Sequence, residues 1–436
     1  MIRVYLDWNV MSRLHHNNSD LIKVKELLLD SRSKYILPYS IAHIADIHQG
    51  YKTNHEAVNR HLKTVGEITN NLFVKQYEGG KLDFVKSLPH DVMSWYNDFQ
   101  PSNDYSQFLS NFKGLENLLN IKIPNAYKNS DVNFVNRVIG LQDTVSVNVV
   151  LENIYNLYFD LITNTAYRDL RNDFQKSLKI SKGNLNRKEN NPWSVIEETL
   201  KSMGIDGFIQ LGKNTISALQ IHNDDSLNQI RTYYLLLDML GYSEDNLGDK
   251  KRATLSNTMH DSWHVAFATT CDIFVLNDKR SNVKAKLIYE AFDINTKVMS
   301  PKDFIKYKEE NPDDLFSEAN SLFNLIEEII LECDFESVDN LKIYHLNFYL
   351  LNYFNTILYN KITIDLVKEK LINDVGILKD EDDALERDIS NLLGQVNYIR
   401  YENEDDGYYK AWSYNNLIIT LEYKPQLFLR IKHISI

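Results

Sequence analysis

Apolar residues fall into two distinct registers along this chain. At the start, IRVYL runs without polar alternation into Asp7, the pattern of a strand buried on both faces, as in a parallel sheet. IFVL repeats that pattern and ends two residues before Asp278. After the first strand, NVMSRLHHNNSDLIKVKELLLDSRSK reads as a short helix, a polar break and a second helix. YIL reads as a brief strand, and beyond Pro38 the side chain of Ser40 caps a helix running past Asp46. Residues 61–224 read as mostly helical, with loops at PSND, IPNA and KENNPW. DSLNQIRTYYLLLDMLGY and TMHDSWHVAFATTC are helical stretches leading into IFVL; KAKLIYEAF follows as a helix and TKVMS as a short strand before Pro301. From 309 the pattern predicts helices to about 393, then an antiparallel meander of VNYIRY, YYKAWSY, LIITLEY and LFLRIKH, separated by ENEDDG, NN and PQ. The fold class is therefore α/β. A core split into 1–60 and 225–308 flanks a helical insertion at 61–224, and a C-terminal α+β domain occupies 309–436.

The 436 residues exceed one ordinary domain, which agrees with that division. Two cysteines make no disulfide framework and point to a reducing cytoplasm. A basic leader followed by an apolar run is missing, and no stretch reads as a membrane span, so neither a signal peptide nor a membrane location is expected. Charge changes the picture more. The net −12 divides into +6 over 1–60 with 251–308, −4 over 61–250 and −14 over 309–436. A mildly basic core suits phosphate-bearing ligands. The acidic tail either covers that core, repels stray polynucleotide or docks a protein partner.

Ligands of open α/β sheets bind beyond the carboxyl ends of the strands, where Asp7 and Asp278 stand. Asp46 lies about one and a half turns into the Ser40-capped helix, and Asp261 precedes the strand that leads to Asp278. His43 with Asp46, and Asp261 with His264, are i,i+3 pairs on one helix face. Four converging carboxylates repel: a like-charge pair at ~4 Å costs on the order of 4 kcal/mol at an effective dielectric near 20. Mg²⁺ or Mn²⁺ would compensate, and two such ions roughly 3.5–4 Å apart can hold the attacking and leaving oxygens of a phosphoryl displacement. Each acid taken singly also reads as structural: Asp7 and Asp278 as turn and cap residues, Asp46 as a solvated position, and Asp261 as a helix-dipole partner.

YLDWNVMSRL, YSIAHIADI, MHDSWHVAFATTCDIFVLNDKR and KVMSPKDFI resemble, in content and order, the PIN-domain nucleases. That family has a first strand ending in Asp, usually followed by Thr and Asn. It then has a Ser-capped helix with an acid six residues on, an Asp-x-x-His-Ala helix, and a strand running into Asn-Asp. Asp7, Asn9, Ser40, Asp46, Asp261, His264, Asn277 and Asp278 fall on those positions, and the matched segments cover about a third of the chain. The resemblance implies an α/β/α PIN-like core and metal-dependent endonuclease activity on nucleic acid, RNA ahead of DNA, leaving a 5′-phosphate and a 3′-hydroxyl. Asp7, Asp261 and Asp278 would hold Mg²⁺ or Mn²⁺, with Asp46 positioning an ion or the attacking water. Trp8 stands where the family has Thr, and Asp46 where it usually has Glu, so one hydroxyl and one methylene are missing. Analogy extends to a toxin of a toxin-antitoxin pair or a phage-defence effector.

Other readings compete. His260-Asp261, with His43 or His48 upstream, matches HD-type metal phosphohydrolases, but that class is all-helical and leaves IRVYL and IFVL unexplained. Haloacid-dehalogenase phosphatases need a second Asp where Asn9 stands. The serious rival is a catalytically inactive PIN-like RNA-binding or scaffolding protein. For substrate phosphates the candidates are Lys279 and Arg280, together with Lys284 and Lys286, and a basic helical face of Arg168, Arg171, Lys179 and Lys182 opposite an apolar stripe of Tyr167, Leu170, Phe174 and Leu178. Both groups also read as solvated helix faces.

Overall fold

The computed structural model describes residues 1–98 apart from 15–18, 31–34, 52–53 and 78–79, strand residues 122–124 and 144–146, and residues 167, 171, 172, 175, 176, 185 and 186. It also describes 192–433 apart from 203, 205, 219–224, 244–254, 312–317, 369–374, 402–407 and 424–426. The protein is mixed α/β. Strands β1 (Ile2–Leu6), β2 (Tyr35–Ile36), β8 (Ile273–Val275) and β9 (Lys297–Met299) form an all-parallel sheet in the order β2-β1-β8-β9. Alternate residues of β1 and β8 enter different cores. Val4, Leu6, Ile273 and Val275 pack with Val10, Ile44 and Phe304 on one side; Tyr5 and Phe274 pack with Tyr234, Val265 and Ile288 on the other. With both faces apolar, the strands show no alternation in sequence.

Around this sheet lie α1 (Trp8–Met11), α2 (Ser19–Lys25), α3 (Ile41–Tyr51), α4 (His55–Thr69) and α5 (Pro89–Asp98) from the first part of the chain. Helices α6 (Pro192–Lys201), α7 (Phe208–Ala218) and α8 (Ser226–Leu240) follow, then α9 (Leu255–Ala268), α10 (Lys279–Ala291) and α11 (Pro301–Glu310). Among its described residues the insertion carries strands that the sequence does not suggest. Strand β3 (Tyr39–Ser40) pairs with β4 (Leu72–Gln76), which forms an antiparallel pair with β5 (Leu82–Lys86), and β6 (Lys122–Pro124) pairs with β7 (Thr144–Ser146). LFVKQ and LDFVK flank Gly79-Gly80, so a hairpin satisfies their apolar positions better than a helix carrying two glycines would.

The C-terminal part is α12 (Ala319–Glu332), α13 (Val375–Leu393) and one antiparallel sheet, β10-β11-β12-β13-β17-β16-β15-β14. Its last strands, β14 (Tyr398–Tyr401), β15 (Tyr408–Tyr414), β16 (Leu417–Tyr423) and β17 (Leu427–His433), form the predicted meander. The expected helices between α12 and α13 are instead β10 (Glu336–Val338), β11 (Leu341–Leu350), β12 (Phe354–Tyr359) and β13 (Thr363–Val367). Leu341, Tyr344, Phe348 and Leu351 fit a helical stripe in sequence; pairing in the larger sheet overrides that period.

This unit docks at the amino ends of the parallel strands. Arg3 meets Glu381 at 3.2 Å, and Lys368 meets Asp272 at 2.9 Å. Tyr353 donates to Glu381 at 3.2 Å, and the Arg3 amide donates to Asp272 at 2.7 Å. All four charged side chains are buried. The described contacts of the acidic unit therefore lie at the end of the sheet opposite Asp7. Among the described residues no helix is long and apolar enough to cross a membrane.

Candidate functional site

The strand order reverses between β1 and β8: β2 lies outside β1, and β9 outside β8. Connections from these two strands run to opposite sides, and the crevice expected at such a reversal is the usual ligand position in open sheets. Asp7 follows β1 there, with its amide donating to Val275 O at 2.9 Å, and Asp278 follows β8.

Asp7 is 5% exposed. Burial, Asp46 and Asp278 push its carboxyl up from 3.8 to about 6, against the lowering influence of His264 and a hydrogen bond from Asn9. Helix α3 packs on α9 and delivers Asp46 to two imidazoles: Oδ1 is 3.0 Å from His260 Nδ1, and Oδ2 is 2.9 Å from His264 Nε2. His260 and His264 are one turn apart on α9 and share a face. Burial pushes Asp46 up, but the two imidazoles outweigh it and hold the carboxyl below the usual range. In turn burial lowers His264, while Asp46 and Asp7 outweigh it and raise its affinity for a proton. His264 Nε2 is 3.9 Å from Asp7 Oδ1.

Beneath these groups is a buried polar chain. The Tyr5 hydroxyl lies 3.0 Å from His264 Nδ1 and 2.6 Å from Ser40 Oγ, and Ser40 Oγ accepts from the Ala42 amide at 3.2 Å, which is its cap on α3. His43 Nδ1 accepts from the Ser40 amide at 3.1 Å, so Nε2–H donates to Leu6 O at 2.8 Å. Burial and the neighbouring His264 lower its pKa to about 3, keeping it neutral. His43 is thus a structural link between β1 and α3, which removes it from the HD-type ligand set; His48 meets Tyr96 edge to face, with ring centroids 5.4 Å apart.

Asp278 and Asp261 form a second group. Asp278 Oδ1 caps α10, accepting from the Arg280 and Ser281 amides at 2.8 Å each. Ser281 Oγ donates to Asp261 Oδ2 at 3.3 Å and lies 2.9 Å from the Tyr234 hydroxyl. Of the predicted acids the structure therefore brings Asp7 and Asp46 together with His264, their ligand atoms within 4.8 Å of one another. Asp261 and Asp278 lie outside that cluster and are joined to each other through Ser281, with Asp278 near enough to raise the Asp7 carboxyl.

Asn277 and Lys279 are exposed, and Arg280 is half-buried in the first turn of α10. Lys284 and Arg171 are not phosphate contacts. They are buried and pair with the buried Asp238 at 2.9 Å each, with Tyr167 donating to the same carboxylate at 2.8 Å. Arg168, Lys179 and Lys182 lie outside the described residues.

Sequence reasoning missed Tyr5 and Ser281, and gave His260 a part only in the HD-type reading. His260 had a legible signal, its spacing of four from His264. Tyr5 had only its alternation with Val4 and Leu6. No protein-family model, curated protein or solved structure matches the chain.

Proposed function

We propose that this protein is a metal-dependent endoribonuclease of PIN-like type. The observation that supports it best is Asp7, Asp46 and His264 gathered at the strand-order reversal with Asp278 across the crevice. Their chemistry fits a divalent cation: two carboxylates and an imidazole, one carboxylate buried and held against ionisation. Asp7, Asp46 and His264 would hold such an ion, with Asp278 facing it. A bound divalent ion supplies Lewis acidity and neutralises charge developing on a phosphodiester. Asn9 steadies the Asp7 carboxylate, His260 fixes the rotamer of Asp46, and Lys279 and Arg280 offer positive charge to flanking phosphates.

A second reading, a non-cleaving RNA-binding module, draws on one feature: His260 and His264 already occupy both carboxylate oxygens of Asp46. One experiment separates the two. Purified protein and Asp7→Asn are incubated with end-labelled RNA and single-stranded DNA, in Mn²⁺ or EDTA. Cleavage of RNA to 5′-phosphate ends, lost in EDTA and in the variant, is expected. Equal cleavage by the variant sinks the nuclease reading. Equal RNA binding without cleavage by either protein favours the module.

A further inference from the structure

The donor set at the crevice is not purely oxygen, which departs from the all-carboxylate ligands implied by the PIN resemblance. His264 is oriented from behind by a buried chain. Nδ1–H can donate to Tyr5, and Tyr5 O–H to Ser40, at 3.0 and 2.6 Å. That arrangement satisfies the inner edge of the ring. It leaves Nε2 as the atom facing both carboxylates, 2.9 Å from Asp46 Oδ2 and 3.9 Å from Asp7 Oδ1. A cation replacing the Nε2 hydrogen leaves every other bond of the chain in place. His260 holds the opposite oxygen of Asp46 at 3.0 Å, so Oδ2 stays turned toward His264.

An imidazole whose far nitrogen is hydrogen-bonded to a fixed partner is the usual arrangement at transition-ion sites. Nitrogen ligands suit first-row transition ions, whereas Mg²⁺ demands oxygen ligands and gives up its waters reluctantly. Resting on the nuclease reading above, we infer that this site selects a transition ion of the Mn²⁺ class over Mg²⁺, with His264 as nitrogen ligand and Tyr5 as its positioning residue. Tyr5 is well placed for that role because it is itself fully buried among Phe274, Val265 and Ala42.

The test uses the full chain and Mn²⁺ and Mg²⁺ salts. Affinities are measured by calorimetry, and electron-spin-echo spectra of the Mn²⁺ complex report whether a ¹⁴N nucleus is coupled to the ion. Wild type should show nitrogen coupling. His264→Asn should lose it, and its preference for Mn²⁺ over Mg²⁺ should fall by about tenfold or more. Tyr5→Phe should keep the coupling while Mn²⁺ affinity drops about tenfold, an effect that a purely packing role for Tyr5 does not produce. Circular dichroism in EDTA checks the folding of each variant; the wild-type spectrum and Tyr5→Phe decide the matter if His264→Asn does not fold. Mn²⁺ bound without nitrogen coupling in wild type overturns the inference, and the nuclease reading then survives if cleavage remains dependent on a divalent ion. Failure of both ions to bind overturns the two together.

Discussion

Asp7 sits where its charge is poorly solvated and faces two other carboxylates, so folding without a cation works against its ionisation. Its pKa is raised in the fold, from 3.8 to about 6. The protonated form is therefore the favoured one: Asp7 is harmless well below pH 4, and its cost grows as pH rises through about 6. Asp7→Asn removes that cost. In EDTA at pH 8 the variant should be more stable than wild type, by on the order of 3 kcal/mol before relaxation, and the gain should shrink toward pH 5. Urea titrations at the two pH values measure it. A variant less stable at both would show that Asp7 is held by favourable contacts and does not await a cation. Cleavage should be abolished by the same substitution, separating what the residue does for the reaction from what it does to the fold.

Helix α10 carries the clearest prediction at the scale of an element. It begins beside the crevice with Asp278 as its cap, and Lys279 and Arg280 occupy its first turn. If they hold phosphates, replacing both with Gln should weaken RNA binding and reduce the slope of log K against log salt by about 1.4, or ~0.7 per contact on a single strand. Unchanged slopes in filter-binding titrations would leave these side chains to solvent. The same helix marks how far the sequence could be read. Apolar runs ending in Asp7 and near Asp278 disclosed β1, β8 and the crevice, because a strand buried on both faces has few other readings. Ser40 and the acid six residues later likewise disclosed α3. Lys284 and Arg171 were misread because a lone buried cation looks like a surface one until its partner, Asp238 on a different helix, is brought to it. β11 was misread because its apolar spacing suits both periods and only its neighbours choose. The Tyr5 to His264 link joins residues 259 positions apart and leaves no local trace.

At the scale of the whole molecule, the buried pairs Arg3–Glu381 and Lys368–Asp272 join the two units. Burial lowers the pKa of Lys368, as does Arg3, while Asp272 and Glu381 raise it; it depends on these partners. Removing one member of such a pair leaves the other buried and uncompensated, at a cost of roughly 3–5 kcal/mol. Glu381→Ala should therefore lower the unfolding free energy by that amount and move the urea midpoint down with it, and parallel-sheet and C-terminal signals should lose structure in one shared transition. Two separated transitions would show that the junction contributes little. The junction also bears on how the chain is made. Arg3 must wait for a partner 378 residues away, and β1 for a neighbour that begins at Ile273. At about 5–20 residues per second, a ribosome needs roughly 20–80 s to deliver both. Until His264 and Asp278 have emerged, Asp7 has neither beside it, and a growing chain cannot assemble the crevice. On the proposed function, the growing chain carries no complete site until Asp278 has emerged.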